Sequence, residues 1–227
     1  MFYLKCFLIL ILIWIRVGNG MAANVCDQID SGNYKTVRLS NGNIQLISGE
    51  NSYTFSEGNI KNAKIDSISK LSPNDLSPIT ECFANNGKIY YIRQNKAIVY
   101  DGQSVSSFTW NPTSTNISRL IIARNGKTTG FLVPPTSQNT GSGESMSSTN
   151  DVSVMAYGSG SSVSISSVNG NMQIVYNGWS VPNQFNAFLA NTDNSLTFFN
   201  GNKYCVAKHN SESQCLWNDV NKYFGCN

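Results

Sequence analysis

Apolar and polar residues alternate along most of this chain with the period of a β-strand. Short runs rich in Ile, Val, Tyr, Phe and Thr are separated by Asn-Gly, Asp-Gly and Gly-Asn pairs, the turn chemistry that joins antiparallel strands. No long segment carries the 3.6-residue apolar period of a helix. The best helical candidate is Leu216–Tyr223, where Trp217, Val220 and Phe224 fall at i, i+3 and i+7. The pattern predicts an all-β fold.

Four stretches share a strand, a turn and a second strand: Tyr34–Ser48, Ile79–Arg93, Ser118–Leu132 and Phe185–Phe199. Their central turns begin at Asn41, Asn86, Asn125 and Asp193, and a third strand follows at Ser52–Phe55, Lys96–Tyr100 and Lys203–Val206. Connectors carry an aromatic and a proline, as in Trp110-Asn111-Pro112 and Trp179-Ser180-Val181-Pro182. Turn spacings of 45, 39 and 68 residues suit the blades of a small β-propeller, and four blades are expected. The long interval contains the Ser/Gly/Thr-rich Thr136–Ser167. A flexible inserted loop is expected over about 136–150. Val152–Tyr157 and Met172–Tyr176 would then complete the third blade. A rival count takes Asn169-Gly170-Asn171-Met172-Gln173-Ile174-Val175 as its own repeat and gives five blades.

The N-terminus reads differently. Lys5, an apolar run from Phe7 to Ile15, and Gly18, Gly20 and Ala22 are the three parts of a secretory signal. The run is half the roughly 20 residues that a membrane span needs. A signal peptide is therefore expected at 1–22, with a single mature domain at 23–227, secreted to the extracellular space and without a membrane span. Losing Lys5 and Arg16 leaves 14 basic residues against 13 acids, a net charge of +1. The basic residues Lys61, Lys64, Lys70, Lys88, Arg93 and Lys96 are interspersed with acids. That pattern argues against capture of nucleic acid or an anionic membrane.

Cys6 falls in the signal, which leaves Cys26, Cys82, Cys205, Cys215 and Cys226. An odd count in an oxidising compartment implies two bridges and a free thiol, or an intermolecular bond. Cys26 and Cys226 stand at the two ends of the mature chain and suggest a clasp. Cys205 and Cys215 suit a local loop, and Cys82 in the apolar run Ile79–Phe83 reads as a buried thiol. No C-x-x-C occurs and His209 is the chain's one histidine, so a zinc site is not expected.

With these repeats in hand, the chain resembles the hemopexin-like family of four-bladed propellers. Gly178-Trp179-Ser180-Val181-Pro182 and Phe185-Asn186-Ala187-Phe188 are similar to that family's Gly-Trp-Pro connector and first blade strand. Leu196–Tyr204 is similar to its second and third strands, and Ile79–Tyr100 matches more loosely. The resemblance implies an end-to-end Cys26–Cys226 disulfide. It also implies an axial ion site at the strand starts near Thr80 and Asn186. The family's haem carriers use paired histidines; with His209 alone, no haem and no other cofactor is expected.

Catalytic spacings such as Gly-x-Ser-x-Gly or His-Glu-x-x-His are absent from the sequence, so no enzymatic activity is expected. His209, in Lys208-His209-Asn210-Ser211, reads as a solvated turn residue. Asn116-Ile117-Ser118 is a sequon, which makes Asn116 a candidate glycosylation site. Tyr90, Tyr91, Tyr100, Phe198 and Phe199 are expected in the core between blades. The expected function is an extracellular module that binds a protein or matrix partner through propeller loops. The alternative is a propeller lectin with glycan sites between repeats.

Overall fold

The computed structural model describes residues 25–75, 77–110, 119–133, 144–158, 161–168, 170–211 and 215–226. The expected signal peptide, the Asn116 sequon and residues 136–143 of the expected insertion lie outside them. Among the described residues no helix is long and apolar enough to cross a membrane.

After a short helix, α1 (25–30), the chain forms five antiparallel sheets. Sheet one runs β1 (Lys35–Arg38), β2 (Ile44–Ser48), β3 (Asn51–Phe55), β4 (Lys64–Ser67). Sheet two runs β5 (Ile79–Asn85), β6 (Lys88–Arg93), β7 (Lys96–Tyr100), β8 (Val105–Thr109). Sheet three contains β9 (Arg119–Arg124), β10 (Lys127–Leu132), β11 (Glu144–Ser148) and β12 (Val152–Tyr157), in the spatial order β10-β9-β12-β11. Sheet four has β13 (Val163–Val168), β14 (Asn171–Tyr176) and β15 (Trp179–Val181). Sheet five runs β16 (Ala187–Ala190), β17 (Leu196–Asn200), β18 (Lys203–Ala207), β19 (Asn218–Asp219), and α2 (Val220–Phe224) follows it. The fold is a small five-bladed β-propeller.

The turns explain the hairpins. Asn86-Gly87, Asn125-Gly126 and Asn177-Gly178 all place both central residues at positive φ, with paired residues directly before and after. This is the two-residue turn whose twist matches that of the flanking strands, and Asn-Gly fits it at low cost.

Apolar faces pack between neighbouring sheets and close the ring. Val37, Ile47, Cys82, Tyr91 and Ile98 fill the gap between sheets one and two. A larger core runs from Phe83 and Trp110 through Leu120, Ile122 and Ile174 to Phe198. Ile44, Phe55, Leu189, Phe199 and Phe224 join sheets five and one. Cys26–Cys226 fastens α1 beside α2 at that last seam, and Cys205–Cys215 closes a local loop on sheet five. Cys82 is buried and unbonded.

Four expectations are corrected. The blades number five and not four, because Met172–Tyr176 does not complete the third blade. It becomes β14 of a separate sheet, while Val152–Tyr157 does join sheet three. Trp179–Val181 is a strand paired with β14 and not a connector. The expected flexible insertion ends in a strand, since Glu144–Ser148 pairs along its whole length with β12. The C-terminal helix begins at Val220, four residues later than expected. Asn218 and Asp219 pair with β18, and the Asp219 carboxylate then accepts from the Asn221 amide at 2.9 Å as an N-cap.

Candidate functional site at the mouth of the propeller axis

The inner strands of sheets one and five meet edge to edge, and side chains do the joining. Lys35 Nζ donates to the Asn186 carbonyl at 2.7 Å, Thr36 Oγ1 to Phe188 at 2.8 Å, and Arg38 Nε to Ala190 at 3.1 Å. Carbonyls two residues apart on a strand point the same way. Three alternate carbonyls along β16 and the residue before it are thus satisfied by β1 side chains. An unpaired edge is costly when buried, so this zipper completes the ring where backbone pairing does not.

Lys35 also pairs with Glu81 on the neighbouring strand β5, at 3.3 Å. Burial, opposed by Lys35, pushes the Glu81 carboxyl up from the usual 4.5 to about 7. Thr80 Oγ1 donates to the Ile92 carbonyl at 3.1 Å. The Asn186 side chain bonds to the Tyr34 carbonyl and the Gly201 amide. The two residues expected beside an axial ion therefore spend their side chains on the fold, and an ammonium occupies the Asn186 carbonyl.

One step along the axis from this polar belt, a cleft of about 430 Å³ opens. Phe83, Val133 and Phe188 form its apolar floor. Its rim consists of turns and their flanks: Asn41 between β1 and β2, Asn86 between β5 and β6 with Lys88 at the start of β6, Asp101 after β7, and Asn191 and Thr192 after β16. Sheets one, two, three and five supply the wall, and no described residue of sheet four reaches it.

The rim charges differ in their freedom. Arg38 is held by the carbonyls of Ala190 and Gly42, by Glu57 at 3.0 Å and by Asn191 at 3.0 Å. Asp101 caps its own turn by accepting from the amides of Ser104 and Gln103 and from the Ser104 hydroxyl. Those bonds, the Ser104 amide first, hold its carboxyl down at about 2. Lys88 is exposed and makes no ion pair among the described residues. Lys88 adds a weaker charge attraction to the Asp101 carboxylate, behind the hydrogen bonds that hold it down. The arrangement suits contact, with an apolar floor inside a ring of hydrogen-bonding groups.

His209 lies elsewhere, beside sheet four. Its ring meets Trp179 edge-on at 4.6 Å, and Nε2 lies 3.0 Å from the Asn177 carbonyl. Of the aromatics expected in the core, Tyr91, Phe198 and Phe199 are buried. Tyr90 is half-buried and stacks on Phe83, and Tyr100 is half-buried in the cleft wall.

No family model matches the chain, and no curated protein does.

Sequence reasoning did not single out the cleft. Its signal was nevertheless present, because three of the four repeat turns, those at Asn41, Asn86 and Asp193, end hairpins whose inner strands run side by side. Turns at equal depth in such repeats must converge on one rim.

Proposed function

We propose that this protein is a secreted, non-enzymatic binding module that grips a polypeptide or matrix partner at the mouth of its propeller axis. The observation that carries this reading is the cleft with an aromatic floor and a rim of turns from three blades. Productive interfaces bury an apolar anchor in a pocket and surround it with polar groups that exclude water. Here Phe83, Val133 and Phe188 would receive the anchor, and Lys88, Asn86 and Thr192 would form the surround. The zipper beneath holds the rim rigid, so little ordering cost falls on binding. Two disulfides and the signal-like N-terminus support an extracellular setting.

The test is cross-linking at defined positions. A photoreactive residue at Lys88 or Thr192 should form an adduct with a protein of the native extracellular fluid. The same residue at Met146, on the outer edge of sheet three, should not. Equal yield from all three positions, or none from the rim, would overturn the reading.

A second reading, a lectin, is favoured by a different cleft between sheets four and five.

A further inference from the structure

A second cleft, of about 340 Å³, lies where β14 and β15 face the end of β17 and the loop closed by Cys205–Cys215. It shares no residue with the axial mouth. Its chemistry is unusual in one respect: none of the residues lining it is charged. Carboxamides dominate instead, from Asn171, Gln173, Asn183, Gln184 and Asn200, and the indole of Trp217 stands beside them.

Trp110 and Trp179 are buried, whereas Trp217 is 38% exposed, two residues after the bridged Cys215. An indole left in water next to a disulfide anchor is a rigid flat platform. Gln173 Nε2 donates to Ser180 Oγ at 3.3 Å. The side chains of Asn171, Asn183, Gln184 and Asn200 make no hydrogen bond within the described residues. Each amide offers two donors and two acceptor lone pairs. An adjacent pair of sugar hydroxyls, each donor and acceptor at once, matches such a group without any change of charge. The apolar face of a pyranose ring packs against an aromatic ring, while its edge needs hydrogen bonds, as the two halves of this cleft provide.

We infer that the cleft between sheets four and five binds a neutral carbohydrate, with Trp217 stacking on a hexopyranose ring and the surrounding amides reading its hydroxyls. Phosphorylated, sulfated or nucleic-acid ligands find no counter-charge here and lose the electrostatic part of their affinity. The neutral lining separates this site from the axial mouth, where Lys88, Asp101 and Arg38 are present.

The experiment uses the secreted protein. A glycan array carrying neutral gluco-, manno- and galacto-oligosaccharides with their sulfated and sialylated counterparts identifies a probe, which is then titrated while tryptophan emission and iodide quenching are followed. Trp217 dominates the quenchable emission, since Trp110 and Trp179 are buried. Binding of neutral oligosaccharides should protect that emission. Trp217→Ala should weaken binding at least tenfold and Trp217→Phe should retain part of it. Met146→Ala, at a still more exposed apolar site on sheet three, should leave the titration unchanged. The inference fails if no neutral glycan binds, if only charged glycans bind, or if Trp217→Ala binds as the wild type does. It fails equally if the Trp217 surface, with the neighbouring exposed Leu216, cross-links to a deglycosylated protein partner as well as to a glycosylated one.

Discussion

The ammonium of Lys35 lies 2.7 Å from the backbone carbonyl of Asn186, so a side chain on the first strand completes the hydrogen bonding of the last blade's inner edge. Thr36 and Arg38 repeat the arrangement at Phe188 and Ala190. Ring closure here rests on three side chains as well as on the Cys26–Cys226 clasp.

Lys35→Met tests the weight of this contact. It leaves the Asn186 carbonyl unpaired and Glu81 without its cation, while keeping most of the apolar stem. Lys35 and Glu81 are 22% and 20% exposed, so water moderates the loss, and a destabilisation of about 1–3 kcal/mol is expected. Urea unfolding measures it. A change within about 0.5 kcal/mol, typical of surface sites, would show that the zipper is ornamental.

Glu81 should give the protein a distinctive pH dependence. Its carboxyl sits at about 7 in the fold against a usual 4.5, so the folded state holds the proton more tightly. The favourable contribution is complete below pH 4.5 and is lost as pH rises through 7. The gap corresponds to about 3 kcal/mol. Asp101, Asp66, Asp75 and Asp193 are held below their usual value by hydrogen bonds, from the Ser104 amide in the first and from Lys70, Ser77 and Ser195 in the others. Their contributions are present above pH 4 and are lost only below it, outside this window. Glu81→Gln should therefore flatten the urea midpoint between pH 4.5 and 7.5 relative to the wild type. Parallel curves for the two proteins would assign the titration to another group.

Strand-forming segments were legible because alternation and Asn-Gly turns are local signals. Asn86-Gly87 and Asn125-Gly126 fix their hairpins without help from the rest of the chain. Blade number was not legible, and sheet three shows why. Its inner strand is β10, the second strand of the Asn125 hairpin, whereas β1, β5 and β16 are first strands of theirs. A repeat read by strand order thus meets one blade entered in a different order. Sheet four, with three strands and no described residue at the axial cleft, lacks the shared inner strand that made the other repeats alike. The zipper was invisible for a related reason. Lys35 and Asn186 are 151 residues apart, and nothing in the repeat that holds each marks the other as its partner. Trp217 was placed on a helix by its i, i+3, i+7 spacing, but Asn218 and Asp219 pair with β18 and hold it outside α2.

Gly130 on β10 is a packing position and not a turn. A Cβ built there would lie 2.5 Å from Phe185 Cε1, because the ring rests on the bare backbone. Phe185 in turn packs on Phe188 and Phe198. Gly130→Ala should cost about 1–3 kcal/mol as overpacking, measured by thermal or urea unfolding. Adding Phe185→Leu should recover part of that loss, since it removes the clashing ring edge. A double variant worse than the sum of the two singles would mean that the strand, and not the ring, absorbs the strain.

The free thiol of Cys82 reports on how the ring opens. It is 2% exposed between sheets one and two, and burial pushes the thiol far above its usual range, with the Glu81 charge adding to the effect. The thiolate is the reactive form, so alkylation of the folded protein should be very slow and should proceed through open states. The Cys26–Cys226 bridge spans 200 residues, and removing it by Cys26→Ser/Cys226→Ser should cost about 5 kcal/mol of unfolded-chain restriction. Cys82 lies on sheet two, far in sequence from that seam. If a propeller opens as one cooperative unit, the labelling rate of Cys82 should rise more than a thousandfold in the double variant, in step with the lost stability. Cys205→Ser/Cys215→Ser opens a bridge with a separation of only 10 residues and should raise the rate less, in line with about 3 kcal/mol. Peptide mapping of iodoacetamide-treated protein over time gives all three rates. A Cys82 rate unchanged by loss of the clasp would show that sheets one and two part locally, and that the ring is not the cooperative unit.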